Sequence, residues 1–180
     1  CTTMEVTKAG APTLYATAQA SDAVRSYGAD LPIMADGGIR NPGDVAVALA
    51  VGASTAMMGA VFAGCREAPG QLVAIGGRYY KQHRGMGSPS ARAKRYAVDR
   101  YQLAKGIPEG VEGWVPYRGS VESVVHEFVE GLKAAMGYAG ARNIRELQEK
   151  ARLAVLTEAG SKEASPHGIL LPSERPWEAI

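Results

Sequence analysis

The sequence predicts an α/β fold built on parallel strands. Two short apolar runs, LPIMAD at 31–36 and STAMMGA at 54–60, lack polar alternation, which suits strands covered on both faces. Between them lies a capped helical stretch of about three turns, so the whole spans roughly 30 residues and reads as one right-handed βαβ unit. Further on, Val121, Val124, Val125, Phe128, Leu132, Ala135 and Met136 repeat at helical spacing.

The elements follow in order. Residues 1–11 read as a polar, glycine-bearing loop. Residues 12–28 suit a helix, because Pro12 fits a first turn, alanine is abundant and Gly28 can stop it. After the first apolar run, Asn41-Pro42 gives a cap and a first-turn proline, Val45, Ala48 and Leu49 share a face, and Gly52 is a terminator. Residues 61–119 are rich in Gly, Arg and Tyr without a sustained apolar period, and read as a long loop-rich segment of the lid or binding-loop kind. Ser120 caps the long periodic helix, which Gly137 is expected to end. Asn143 caps another helix, with Glu146 at the capping-box position and Ile144, Leu147 and Ala151 on one face. From about 160 the tail is Ser/Pro/Glu-rich and reads as irregular.

Composition bounds the function. Among 180 residues, 46% are hydrophobic and 21% charged, a globular balance. Lys+Arg 20 against Asp+Glu 18 gives a net charge of +2, too even to argue for nucleic acid or an anionic membrane. No apolar run approaches a membrane span. Two cysteines, Cys1 and Cys65, make no disulfide framework, so a reducing, cytoplasmic setting is expected. The first residue is Cys and not Met, which suggests a processed product or a piece of a longer protein.

Several residues can carry chemistry. Asp36-Gly37-Gly38 stands at the C-terminal end of a strand, where active sites of parallel α/β proteins lie. Glycines there let a backbone approach a phosphate, and an acid there can accept from ribose hydroxyls. The bland alternative is tight turns, which leaves Asp36 unexplained. Gly59 closes the second strand in the same way. Cys1, in a polar loop with Thr2 and Thr3, is a nucleophile only if its thiolate is stabilised, and by composition alone an inert cysteine is commoner. Cys65 reads as structural.

Arg84-Gly85-Met86-Gly87-Ser88 suits a loop over a ligand. Arg92, Lys94, Arg95 and Arg100 read equally as a solvated face. Tyr96 and Tyr101 each follow an arginine, a pairing able to orient water. Glu109 in IPEGVEG is most simply an exposed loop carboxylate. His83, His126 and His167 show no metal-ligand spacing, so no transition-metal site is expected, and His126 reads as structural.

Taken in order, CTT at 1–3, ADGGIR at 35–40, GDVAVALAVGAS at 43–54, MMG at 57–59, EAPG at 67–70, YKQHRGMGS at 80–88, PEGVEGWVPYRG at 108–119 and GLKAAMGYAGARNIREL at 131–147 resemble the inosine-5′-monophosphate dehydrogenases over essentially the whole chain. ADGGIR alone is shared with flavin-linked and other phosphate-binding barrels, whereas RGMGS followed by PEGVEG is specific. The resemblance implies the C-terminal portion of a (β/α)8 TIM barrel. Residues 1–60 would hold the cysteine loop and strands seven and eight, 61–119 the mobile flap, and 120–180 the C-terminal helices and tail, all of one catalytic domain.

It also implies roles. Cys1 matches the nucleophile that attacks carbon 2 of inosinate, with hydride passing to NAD⁺ and water releasing xanthylate, the committed step of guanine nucleotide synthesis. Asp36 matches the ribose ligand. Gly37, Gly38 and Gly59 match backbone donors to the 5′-phosphate. Met86, Gly87 and Glu109 match contacts to the base, and Thr3 with Glu109 a proton-handling pair. Arg100-Tyr101 matches the water-activating pair, with Arg95-Tyr96 as the rival placement. A potassium ion would bind carbonyls of the Cys1 loop and of the neighbouring subunit's Glu163, Ala164 and Ser165, which implies a homotetramer.

The chain departs from the family's pattern at the phosphate. Ala60 replaces a usual serine and His83 a usual tyrosine, while Met4 and Lys8 replace common arginine and glycine. Losing a hydroxyl donor to a charged oxygen costs on the order of 1.5–3 kcal/mol. The alternatives are a guanylate reductase, a non-catalytic nucleotide-binding paralogue and a flavin-binding barrel oxidase. PEGVEGWVPYRG speaks against the reductase, which needs no hydrolytic flap.

Overall fold

The computed structural model describes residues 3–93 and 110–166. It is a mixed α/β structure. Where a polar loop was expected, a short helix, α1 (Thr3–Thr7), forms. Helix α2 (Thr13–Ser26) starts one residue after Pro12. It closes at Gly28, whose φ of 63° lets Ala29 N–H donate to Val24 O at 3.1 Å.

Strand β1 (Met34–Asp36), helix α3 (Pro42–Ala50) and strand β2 (Thr55–Met57) form the expected βαβ unit. The strands are parallel, with Met34 opposite Thr55, Ala35 opposite Ala56 and Asp36 opposite Met57. Asn41 and Asp44 build a reciprocal capping box at the start of α3, with proline in its first turn. The strands are not covered on both faces. Ala35 is buried, whereas Met34 and Met57 are about half exposed, although α2 contacts β1 and α3 contacts β2.

Helix α4 (Gly59–Ala63) follows β2 directly. The stretch read as loop then builds an antiparallel sheet of β3 (Leu72–Ile75), β4 (Arg78–Arg84) and β5 (Glu112–Pro116). Ile75 pairs with Arg78, so Gly76-Gly77 makes a two-residue turn, both at positive φ. The strands escape the sequence pattern because much of both faces is exposed, so nothing enforces apolar alternation. Helix α5 (Pro89–Ala93) leads away from β4.

The two sheets are joined through Cys65. It bridges Gly119, Arg66 N–H donates to Gly119 O at 2.7 Å, and Arg118 N–H donates to Gly64 O at 2.9 Å. Cys65 is buried, its Sγ lies 3.6 Å from Val61 O, and burial pushes its thiol above the usual range, so it is an inert packing residue. Lys81 is also buried, and its ammonium donates to the carbonyls of Ala68 (2.7 Å) and Arg66 (3.4 Å). It thereby fixes the 66–68 turn on β4.

Helix α6 (Val121–Tyr138) is capped by Ser120, and the Glu67 carboxylate also accepts from Val121 N–H at 2.9 Å. That bond holds the Glu67 carboxyl below the usual carboxylate range. The helix runs through Gly137 and ends at Gly140, which takes the positive φ that lets Ala141 N–H reach Met136 O. A glycine inside a helix costs only about 1 kcal/mol, too little to stop it three residues early. The apolar stripe is narrower than expected: Val124 and Phe128 are buried, but Val121 and Val125 are exposed.

Helix α7 (Ile144–Lys150) has half a capping box. Asn143 accepts from Glu146 N–H, while Glu146 accepts from Arg142 N–H. A last short helix, α8 (Glu158–Glu163), forms in the tail expected to be irregular. The core lies between the parallel pair, α3, α6 and α7, and comprises Ala35, Ile39, Leu49, Val61, Phe128 and Leu147 with their neighbours. Among the described residues no helix is long and apolar enough to cross a membrane.

Candidate functional site

The site begins where the parallel strands end. Because Asp36 pairs with Met57, the two strands stop level with each other. The apolar run sets β1 against α2, and the chain then turns sharply. Gly37 and Gly38 have φ of 97° and 75°, a region L side chains rarely adopt. Space is not the constraint: an added Cβ at either would meet only Thr13 Oγ1, at 3.5 and 3.9 Å. Thr13, at the start of α2, holds the turn by donating to Asp36 O at 3.3 Å. The Asp36 side chain is exposed.

After β2, Gly59 and Ala60 open α4. Met58 at the N-cap offers no side-chain acceptor, and an added Cβ at Gly59 would meet nothing within 4 Å. The start of α4 is therefore an open backbone surface with amide donors. Ala60 is exposed and contributes only its main chain.

Helix α4 also packs on β4 and β5, which brings His83 onto a neighbouring element. His83 sits opposite Gly113 and is half-buried, and that burial pushes its imidazole below the usual 6.5. It lines a groove of about 740 Å³ with Gly70, Gln82, Arg84, Ser90 and Trp114. Asp36, Gly37, Gly38 and Gly59 do not line that groove. Met86 is exposed and Gly87 buried on the turn after β4.

The depressed His83 value has a sign. As pH falls through 6.5 the unfolded chain takes up this proton before the folded one does, so stability drops until pH passes below the folded value. His83→Gln is expected to flatten the stability profile in that window, as read by urea denaturation at a series of pH values. An unchanged slope would mean His83 is not the group responsible.

Glu163 is the last residue of α8, Ala164 is its C-cap and Ser165 follows. Cys1, the Thr3 side chain, Arg100, Tyr101, Glu109 and the rival Arg95-Tyr96 lie outside the described residues. Among the described residues no group of three or more His, Cys, Asp or Glu is arranged to hold a metal ion.

A sequence profile of the family described as IMP dehydrogenase / GMP reductase domain matches residues 1–167. The chain belongs to this family. The inosine-5′-monophosphate dehydrogenase of Korarchaeum cryptofilum is 57% identical over 170 residues, covering 94% of this chain and 36% of the relative. The proteins of that name from Aquifex aeolicus and Methanocaldococcus jannaschii are 49% and 47% identical, each covering 98% of this chain and 36% and 37% of the relative. The chain thus spans a little over a third of the length of these curated relatives.

Within this IMP dehydrogenase / GMP reductase chain, the sequence reading missed three supporting residues. Thr13 holds the Asp36 turn, Lys81 holds the 66–68 turn, and Glu112 accepts from Ser90 N–H at 2.6 Å. Only Glu112 had a signal: it is the second acid of PEGVEG, three residues after Glu109, which was already singled out.

Proposed function

We propose that this chain is the C-terminal part of the catalytic barrel of an NAD-dependent inosinate dehydrogenase, with β1 and β2 as its seventh and eighth strands. The observation that carries the reading is the level end of the parallel pair, Asp36 opposite Met57, followed by Gly37 and Gly38 at positive φ. Such an end suits a nucleotide monophosphate, with the Asp36 carboxylate accepting from ribose hydroxyls and the amides of Gly37, Gly38, Gly59 and Ala60 donating to the phosphate. His83 adds a ring N–H donor. Met86, Gly87 and Glu109 meet the base.

In this reading the Cys1 thiolate adds to carbon 2 of the purine, and a hydride leaves that carbon. The dinucleotide supplies the hydride acceptor when bound. The resulting thioimidate on Cys1 is attacked by water, which loses a proton, and xanthylate departs as the thiol is restored. Thr3 and Glu109 handle protons, and Arg100 with Tyr101 activates the water. Potassium fits the oxygen-only set offered by the carbonyls of Glu163, Ala164 and Ser165, a donor chemistry for hard cations. A site shared in that way makes the working form a homotetramer, in the cytoplasm, on the route to guanine nucleotides.

The full-length protein, given inosinate and NAD⁺, is expected to produce NADH. Oxidation of NADPH with guanylate, and none of this turnover, would instead favour the reductase. Nucleotide binding with neither activity would favour the paralogue, the reading that Ala60 and His83 support. Arg100→Ala is expected to slow steady-state turnover about a hundredfold while the first-turnover burst of NADH stays near its normal rate. If Arg95→Ala gives that pattern and Arg100→Ala does not, the water-activating pair is Arg95-Tyr96.

A further inference from the structure

The turn from Arg84 to Ser88 leaves β4, carries Met86 and Gly87, and enters α5. Several ties hold it against the start of β5. Gly85 N–H donates to Val111 O at 2.8 Å, and Ser88 N–H closes back on Gly85 O at 3.0 Å. The backbone at Gly110 lies so close to Gly87 and Ser88 that a Cβ there would overlap them. The remaining tie is Glu112, the first residue of β5, opposite Arg84 in register. Its Oε1 accepts from Ser90 N–H at 2.6 Å. That bond, foremost, holds the Glu112 carboxyl below the usual range. Ser88 is fully buried, and its Oγ lies 3.4 Å from the Ala91 N–H it accepts from.

We infer that Glu112 is a positioning residue for the nucleotide's base, clasping Ser90 at the start of α5 so that Met86 and Gly87 present their backbone at one fixed place. This rests on the proposed function, which sets the purine against Met86 and Gly87. Without the carboxylate, the backbone tie at Gly85 survives, but the Ser90 amide loses its charged acceptor. An amide that has lost its acceptor no longer ties the start of α5 to β5, and the turn relaxes. Recognition by main-chain groups tolerates little displacement, so the loss falls on the base and leaves the ribose and phosphate contacts of the parallel pair in place.

The test uses the full-length protein and two probes, inosinate and ribose 5-phosphate, with affinities measured by calorimetry. Glu112→Ala is expected to weaken inosinate about tenfold and ribose 5-phosphate by less than about twofold. Glu112→Gln is expected to stay near wild type for both, because its amide oxygen still accepts from Ser90 N–H. Equal weakening of both probes, or unchanged inosinate affinity in Glu112→Ala, would overturn the inference. Wild-type protein that binds inosinate no better than ribose 5-phosphate would overturn the assignment of Met86 and Gly87, and the inference with it. Amide hydrogen exchange at Ser90, expected to quicken in Glu112→Ala with or without nucleotide, separates a failed clasp from a failed site.

Discussion

Replacing Cys1 by serine in the full-length protein is expected to lower inosinate turnover by at least about a thousandfold. The proposed chemistry needs a nucleophile that is ionised near neutral pH and adds to an aromatic carbon. A thiol supplies a thiolate at modest cost, whereas a hydroxyl does not without a dedicated base. Binding should survive, because the groups assigned to ribose and phosphate belong to other elements: Asp36, Gly37 and Gly38 after β1, and Gly59 after β2. The two measurements are NADH formation and inosinate affinity by calorimetry. Residual turnover above about a tenth of wild type would remove Cys1 from its role, since an uncatalysed adduct could not sustain it.

Asp36→Ala should give the opposite pattern, with binding lost first. In the proposed site its carboxylate accepts from two ribose hydroxyls. Hydrogen bonds to a charged group contribute about 1.5–3 kcal/mol each, so a loss near 3 kcal/mol, about a hundredfold in inosinate affinity, is expected. Stability should hardly move. The side chain is exposed, and the Thr13 bond that holds the turn goes to the Asp36 main chain. A variant that binds inosinate normally would place the ribose elsewhere. One that loses stability together with binding would make Asp36 a folding residue.

Features encoded locally were legible in the sequence. Asn41 and Pro42 announce the start of α3, Ser120 that of α6 and Asn143 that of α7, because a cap depends only on residues three or four positions away. Asp36-Gly37-Gly38 was legible for a related reason: an acid and two glycines directly after an apolar run have few purely structural uses. The β3–β5 sheet was not. Arg78–Arg84 reads RYYKQHR, which shows no alternation, because the strand is exposed along most of its length and only Lys81 is buried. The one local hint was Gly76-Gly77, a hairpin turn signal set between Leu72–Ile75 and Arg78–Arg84.

Glu112 and Lys81 show the deeper limit. Glu112 resembles Glu109 in sequence, and its role depends on Ser90, which only the strand register brings within reach. A lysine between Tyr80 and Gln82 looks like a solvated strand residue. It becomes a buried clamp only because the chain after Cys65 folds its carbonyls back over β4. Both residues take their meaning from long-range geometry, which no spacing rule records.

The Gly76-Gly77 turn has a practical use. An added Cβ at either position would meet nothing within 4 Å, and Ile75 and Arg78 close the hairpin on the protein side. Tight exposed tips of this kind accept inserted peptides when the closing pair is left alone. A short epitope or a fluorophore grafted between the two glycines would therefore report on the hairpin from outside, provided the graft keeps residues that accept positive φ at its ends.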